Sequence, residues 1–266
     1  MKTTGTILDE ILDWKQAEVA QTKCDRPLAG VRAELTLAPP PRDMAAALCA
    51  PGISLIAEIK RASPSKGPLR PGLNAQSLAS IYAASGASAI SVLTDARFFQ
   101  GSLQDLRTVR QAVDLPVLRK EFVIDPYQVY EARAAGADAL LLIVAALGDA
   151  ELRSLYRLTE ELGMAALVEV HNGNELERAL ALGPRIVGIN NRDLRTFEVS
   201  LGTTERLRPI LSQEVVVVAE SGIHSASDVA RLAACGVDAM LVGESLVRAR
   251  DVGAKVRELI GRKGPY

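Results

Sequence analysis

Three stretches of this chain, SGASAISVLT at 85–94, AGADALLLIV at 135–144 and CGVDAMLVGE at 235–244, follow one plan. In each, a glycine follows a segment of helical spacing, and two or three residues later a nearly unbroken apolar run begins. A glycine in that place suits the left-handed residue that ends a helix. An apolar run without polar alternation suits a strand covered on both faces, as in a parallel sheet. Helix, glycine, buried strand is the return half of a βα unit, and its recurrence predicts an α/β fold built by repetition.

Working outward, comparable apolar runs stand at 54–60, 89–94, 117–120, 139–144, 165–170, 186–190, 215–220 and 239–243. Helical spacing fills the intervals, for example at 127–135, 152–162, 176–182, 203–211 and 227–234. Eight alternating strands and helices with short connections predict a (β/α)8 TIM barrel. An open doubly wound sheet competes, but it would carry fewer strands in this length and a glycine-rich loop after the first strand, and no G-x-G-x-x-G occurs. Residues 1–50 differ. Ile7, Leu8, Ile11, Leu12, Trp14 and Val19 recur among charges over 6–23, and shorter helices are expected at 27–35 and 42–49, with Pro39-Pro40-Pro41 between them. The apolar face of such a helix needs a partner. The chain is therefore read as one domain, a helical extension over 1–50 packed on a barrel over 51–266.

The bulk numbers agree. Of 266 residues, 48% are hydrophobic and only 4% aromatic, which suits helices on a parallel sheet rather than a β-sandwich. Lys and Arg total 31 against 32 Asp and Glu, so no basic excess points to nucleic acid or an anionic membrane. The longest apolar run, 139–147, is far too short to span a bilayer. Cys24, Cys49 and Cys235 show no metal or disulfide spacing and read as reduced core or helix residues, so a cytoplasmic protein is expected. A monomer is expected, with weak association left open.

Reacting groups of such barrels sit at the C-terminal ends of the strands. Those ends read AEIK with Glu58 and Lys60, VLRK with Lys120, LVEV with Glu169, INNR with Asn190 and Arg192, and VAES with Glu220. A charge ending a doubly buried strand costs several kcal/mol unless it is paired or solvated, in order-of-magnitude terms. Taken singly, each is an ordinary rim charge about as readily as a working group. Strands one, three, five and seven share a side-chain layer, however, so Lys60, Lys120, Glu169 and Glu220 are expected to converge.

The loops after strands seven and eight, ESGIHS and VGES, are small and polar, as a phosphate site needs. Read without it, Ser221-Gly222 and Gly243-Glu244 are tight turns, with Ser225 or Ser245 as helix caps. The loop RASPSKG at 61–67 reads as a mobile basic cover over an anion. His171 and His224 lie near no nucleophile and in no metal-ligand spacing, so both are read as loop or rim residues and neither a metal nor a cofactor is expected.

Seven segments in order, AEIKRASPSKG (57–67), LTDARFFQGS (93–102), VLRKEF (117–122), LVEVH (167–171), INNRDLRTF (189–197), VAESGI (218–223) and LVGESL (241–246), closely resemble the indole-3-glycerol-phosphate synthase family. The resemblance spans the barrel and reaches toward the extension. Glu121 departs from it, standing where the family leads one to expect Asp, outside the inward-facing set. The chain ends soon after strand eight, which suggests a monofunctional member.

The resemblance implies ring closure of the small phosphorylated substrate 1-(2-carboxyphenylamino)-1-deoxyribulose 5-phosphate, with loss of CO2 and water. It implies Lys120 as general acid toward the sugar ketone and Glu169 as base in the dehydration. Lys60 would bind the substrate carboxylate and assist proton transfer. Glu58, Asn190 and Glu220 would orient lysines and hydroxyls, with Arg192 among the substrate-binding groups. Phe99 and Phe122 would contact the anthranilate ring, though plain packing explains them nearly as well. Ser63, Ser221, Gly222, Gly243 and Glu244 would form the phosphate end. A Schiff-base aldolase on a phosphorylated sugar and a non-catalytic barrel that binds a phosphorylated metabolite are the alternatives.

Overall fold

Strands with no polar face can only pair with one another, and here they do so until the sheet closes. The computed structural model describes residues 5–70 and 72–261. Its barrel strands are β1 (Ser54–Ile59), β2 (Ala89–Leu93), β3 (Val117–Lys120), β4 (Ala139–Ile143), β5 (Ala165–Val170), β6 (Ile186–Asn190), β7 (Val216–Glu220) and β8 (Ala239–Val242). Each pairs in parallel with its sequence neighbours. β1 closes the ring by pairing both β2 (Ile56 opposite Ala89) and β8 (Ser54 opposite Ala239). This is the expected (β/α)8 barrel, and nearly every strand residue is buried.

Outside the strands lie α4 (Ala75–Ser85), α5 (Leu103–Ala112), α6 (Pro126–Ala134), α7 (Asp149–Glu161), α8 (Gly173–Leu180), α9 (Gly202–Leu207), α10 (Ala226–Ala234), α11 (Glu244–Val247) and α12 (Val252–Leu259). The repeated glycines do what the echo requires. Gly86, Gly136 and Gly236 have φ of 102°, 88° and 77°, a conformation costly for residues with a Cβ. The helix expected over 203–211 is shorter. It gives way to a 3-10 turn at Arg208–Ile210, where Pro209 has no N–H to continue the ladder.

The echo also places Asp138 and Asp238 at the barrel floor. Asp138 accepts from Val117 N–H at 2.8 Å and Arg42 N–H at 2.7 Å, and Arg110 Nε stands 3.2 Å away. Asp238 accepts from Val217 N–H at 2.8 Å. Both carboxylates tie off amides at strand starts that would otherwise lack partners.

The extension contributes α1 (Ile7–Asp25), α2 (Leu28–Glu34) and α3 (Met44–Leu48). On α1 the buried stripe is Leu8, Ile11, Leu12, Lys15 and Val19. Two residues depart from the expected pattern. Trp14 stays 41% exposed, with the Arg97 guanidinium 4.0 Å above its ring. Lys15, a residue that hydropathy places outside, is buried. Cys24 is a helix residue, exposed on α1, and Cys49 is exposed at the C-terminal end of α3. Among the described residues no helix is long and apolar enough to cross a membrane.

Candidate active site

Parallel strands tilted in one sense deliver their C-terminal residues to one rim, and the cavity lies there, about 420 Å³ in volume. Glu58, Lys60, Lys120, Glu169, Asn190, Arg192 and Glu220 line it from the strand ends. Phe99, Phe122, Ser63, Ser221, Gly222, Gly243 and Glu244 line it from the loops. Every site residue singled out in the sequence therefore reaches this one cavity. Ile7, Leu8 and Ile11 of α1 line it as well, so the extension is part of the wall.

Lys120 is the electrostatic centre. Its ammonium stands 2.7 Å from Glu220 Oε2 and 3.2 Å from Glu169 Oε2. Burial alone would push this lysine's pKa down, but the charges of Glu220, Glu169 and Glu58 outweigh burial and raise it. Glu169 moves the opposite way. Burial favours its neutral form, yet Lys120 and His171 hold its carboxyl well below the usual range. Asn190 Nδ2 adds a donor to Glu169 Oε1 at 3.2 Å, with the amide oriented by Arg192 N–H donating to its Oδ1 at 3.1 Å. Glu220 lies closer to Lys120 than Glu169 does, yet its pKa is raised. Burial and the negative charges of Glu169 and Glu58 exceed the attraction of Lys120. One lysine thus serves two carboxylates unequally. Glu220 Oε1 is buried without a hydrogen-bond partner.

On β1, Glu58 pairs with Lys60 at 2.6 Å. Two glycines make room for this ring of charge. A Cβ on Gly188 would stand 2.3 Å from Glu220 Oε1, and one on Gly243 would stand 2.4 Å from Glu58 Oε1. Both separations are well inside contact distance, so these glycines are there for close approach of carboxylates. At the end of β7, Ser221 adopts φ of 66°, unusual for a residue with a Cβ, and Gly222 follows with φ of 80°. Asn191 secures this bend by donating to Glu220 O at 3.0 Å and Ser221 O at 3.3 Å.

The chain is most similar in sequence to proteins of one kind. The family model for indole-3-glycerol phosphate synthase matches residues 8–259. The chain belongs to the indole-3-glycerol phosphate synthase family. It is 56% identical over 265 residues to the synthase of Roseiflexus sp. (strain RS-1), covering 96% of this chain and 98% of that protein. It is 51% identical over 259 residues to that of Dehalococcoides mccartyi (strain ATCC BAA-2266 / KCTC 15142 / 195), covering 96% and 100%. Among solved structures, the thiamine phosphate pyrophosphorylase of Pyrococcus furiosus superposes with a TM-score of 0.61 at 18% identity, covering 82% of this chain and 96% of that one. At that identity the likeness speaks for the barrel alone.

Four features of this family member refine the sequence reading. His171 is no open rim residue. Its Nε2 stands 3.2 Å from Glu169 Oε1 and its Nδ1 2.9 Å from Glu175 Oε2. Burial lowers the ring's pKa, but the two carboxylates more than reverse this and raise it to about 10. The segment 61–67, expected as a mobile basic cover, is part of a small hairpin, Ala62–Ser63 against Gly67–Pro68, whose Ser63, Ser65 and Lys66 line the cavity. Arg61 spends its charge on Asp105, with contacts of 2.5 and 2.9 Å. Of the two caps offered, Ser225 is one, at the start of α10, while Ser245 Oγ donates to Ile223 O at 3.0 Å. Glu121, the departure from the family motifs, is buried and bonded to three groups described below.

Gly188, Asn191 and Glu175 were missed by sequence reasoning. Each acts on a neighbour distant in sequence or one turn away, and none carries a motif of its own. For Glu175 a signal existed: it stands three residues after Asn172, the cap of α8, in a capping-box spacing.

Proposed function

We propose that the cavity performs the family's carboxy-lyase reaction of tryptophan biosynthesis, ring closure of 1-(2-carboxyphenylamino)-1-deoxyribulose 5-phosphate to indole-3-glycerol phosphate, CO2 and water. The observation that carries the reading is Lys120, kept as an ammonium between Glu169 and Glu220 at the cavity floor. Such a lysine is an acid and not a nucleophile.

Lys120 donates its proton to the sugar ketone oxygen as the ring carbon bearing the carboxylate attacks the ketone carbon. The new C–C bond leaves that ring carbon tetrahedral, and loss of CO2 returns the electron pair to the ring. The hydroxyl formed from the ketone then leaves as water on taking a proton from Lys60. Glu169 removes the proton from the adjacent carbon, which forms the indole double bond. Glu169 passes that proton back to Lys120, 3.2 Å away, and Lys60 recovers its own from solvent. The proton count closes with one consumed per turnover.

Glu58 orients Lys60, and Asn190 orients Glu169. Glu220 keeps Lys120 charged, with its unpartnered oxygen available to a substrate hydroxyl. Phe99 and Phe122, with ring centroids 6.0 Å apart, receive the anthranilate ring. Ser63, Ser221, Gly222, Gly243 and Glu244 receive the phosphate, Arg192 completes the polar rim, and the setting is the cytoplasm. The aldolase alternative needs a neutral lysine nucleophile, and the carboxylates around Lys120 oppose that.

The test is product formation from this substrate with EDTA present, followed by the fluorescence of the indole product. Its appearance at a catalytic rate supports the reading. Folded protein that binds the substrate without converting it overturns the reading in favour of a binding barrel, and trapping by borohydride overturns it in favour of an aldolase.

A further inference from the structure

The face of α1 that covers the cavity carries Ile7 and Ile11, and one turn further, Lys15. This lysine is 2% exposed, a burial that disfavours an ammonium by several kcal/mol, in order-of-magnitude terms, unless it is fully paired. It is paired outside its own helix. Its Nζ stands 2.8 Å from Asp95 Oδ2, in the loop after β2, and 3.0 Å from Glu121 Oε1, just after β3. Glu18 on α1 supplies a third carboxylate. Burial would lower the lysine's pKa, but Glu121, Asp95 and Glu18 more than reverse this and raise it.

What the two distant carboxylates do next is specific. Asp95 Oδ1 accepts from Phe98 N–H at 2.6 Å and Phe99 N–H at 3.2 Å. Glu121 Oε1 accepts from Phe122 N–H at 2.9 Å, and its Oε2 accepts from the Thr94 hydroxyl at 2.6 Å. Phe99 and Phe122 both line the cavity, and their rings pack as a tilted pair with centroids 6.0 Å apart. A helix needs only apolar contact to dock, and burying charge for that purpose alone gains nothing. The charges make sense as a means of fixing two backbone segments relative to each other and to α1.

We propose that Lys15 is a positioning residue for the aromatic wall of the cavity: it clamps Asp95 and Glu121, which hold the backbones of Phe99 and Phe122. Without the ammonium, two buried carboxylates face each other, and among the described residues the ion pair left to either is Arg119 with Glu121, at 3.8 Å. Either they separate or one takes up a proton, and the segments carrying Phe99 and Phe122 lose their common anchor. The proposal rests on the reading that these rings receive the anthranilate end of the substrate, with the phosphate at the opposite end.

Lys15→Met in the full chain tests it. The expected result is a KM raised about tenfold and product affinity lowered by about the same factor, with kcat within about threefold of wild type, the pattern of lost uniform binding. Competitive inhibition by inorganic phosphate, which probes the other end, should stay unchanged. If the single variant does not fold, Lys15→Met with Asp95→Asn and Glu121→Gln leaves no buried charge unpaired, and the same split between product and phosphate affinities is expected. Wild-type KM and product affinity in a folded variant would overturn the proposal. So would product and phosphate affinities falling together, since that marks general damage. Wild-type protein assayed alongside keeps the two readings apart: if it makes no product, the proposed reaction fails, whereas Lys15 variants indistinguishable from an active wild type sink this proposal alone.

Discussion

The two ends of this barrel bury carboxylates of the same kind and use them in opposite ways. At the floor, Asp138 is wholly buried and its oxygens are taken by two backbone amides with an arginine alongside. Little bonding capacity is left for a ligand. At the mouth, Glu169 and Glu220 divide one lysine between them, Glu220 keeps an unpartnered oxygen, and both border a cavity. The floor is saturated with donors and holds the fold. At the mouth Glu220 is short of a donor, and the shortage leaves an oxygen for a substrate. What separates Asp138 from Glu220 is therefore the acceptor capacity left over, rather than burial or sign.

The largest effect expected from this contrast is at Lys120. Lys120→Ala should cut kcat/KM by about 10³–10⁴, the span of general acid catalysis at its upper end, while the far-UV circular dichroism stays that of wild type. A variant with near-wild-type turnover would remove Lys120 from the chemistry. Glu169→Gln comes next, with a loss of about 10²–10³ in kcat on the same scale. Asp138→Ala should show the reverse pattern. Urea denaturation should report about 3 kcal/mol of lost stability from the stranded donors, with kcat/KM per folded molecule unchanged. A large fall in activity of the folded variant would break the division between floor and mouth.

The smallest effect concerns His171, which belongs to both worlds because it is buried between Glu169 and Glu175 yet touches the active site. Its ring is raised from an ordinary value of about 6.5 to about 10 in the folded protein. The stabilisation this represents is fully present below about pH 6.5 and is lost as pH rises through about 10. His171→Asn should therefore be less stable than wild type by on the order of 1–2 kcal/mol at pH 6, with the gap narrowing toward pH 10. A gap that does not vary with pH would show that folding leaves the pKa of His171 where it stands in the unfolded chain.

Much of this was legible in the chain itself. The eight apolar runs became eight strands with ends within a residue or two of those expected, because a doubly buried strand writes its burial directly into composition. The charges at the odd strand ends met in one cavity, because strand parity and barrel closure leave them few other places to go. Trp14 and Lys15 were not legible. Hydropathy assigns the tryptophan inward and the lysine outward, and the structure reverses both, since Arg97 covers the first and two carboxylates from separate loops neutralise the second. His171 escaped for the same reason: its partners are a strand residue and a helix-capping residue whose side chains meet only after β5 turns into α8.

The sequence by itself determined the repeated βα unit, the closed barrel and the charged residues at its mouth, because local periodicity and strand parity are properties of the chain. The tertiary structure alone decided which of two carboxylates beside Lys120 has its pKa raised and which lowered, which glycines make space for carboxylates, and that α1 forms part of the cavity wall. Those outcomes depend on distances between residues far apart in sequence and on how much water remains around each charge, and neither quantity exists until the chain has folded.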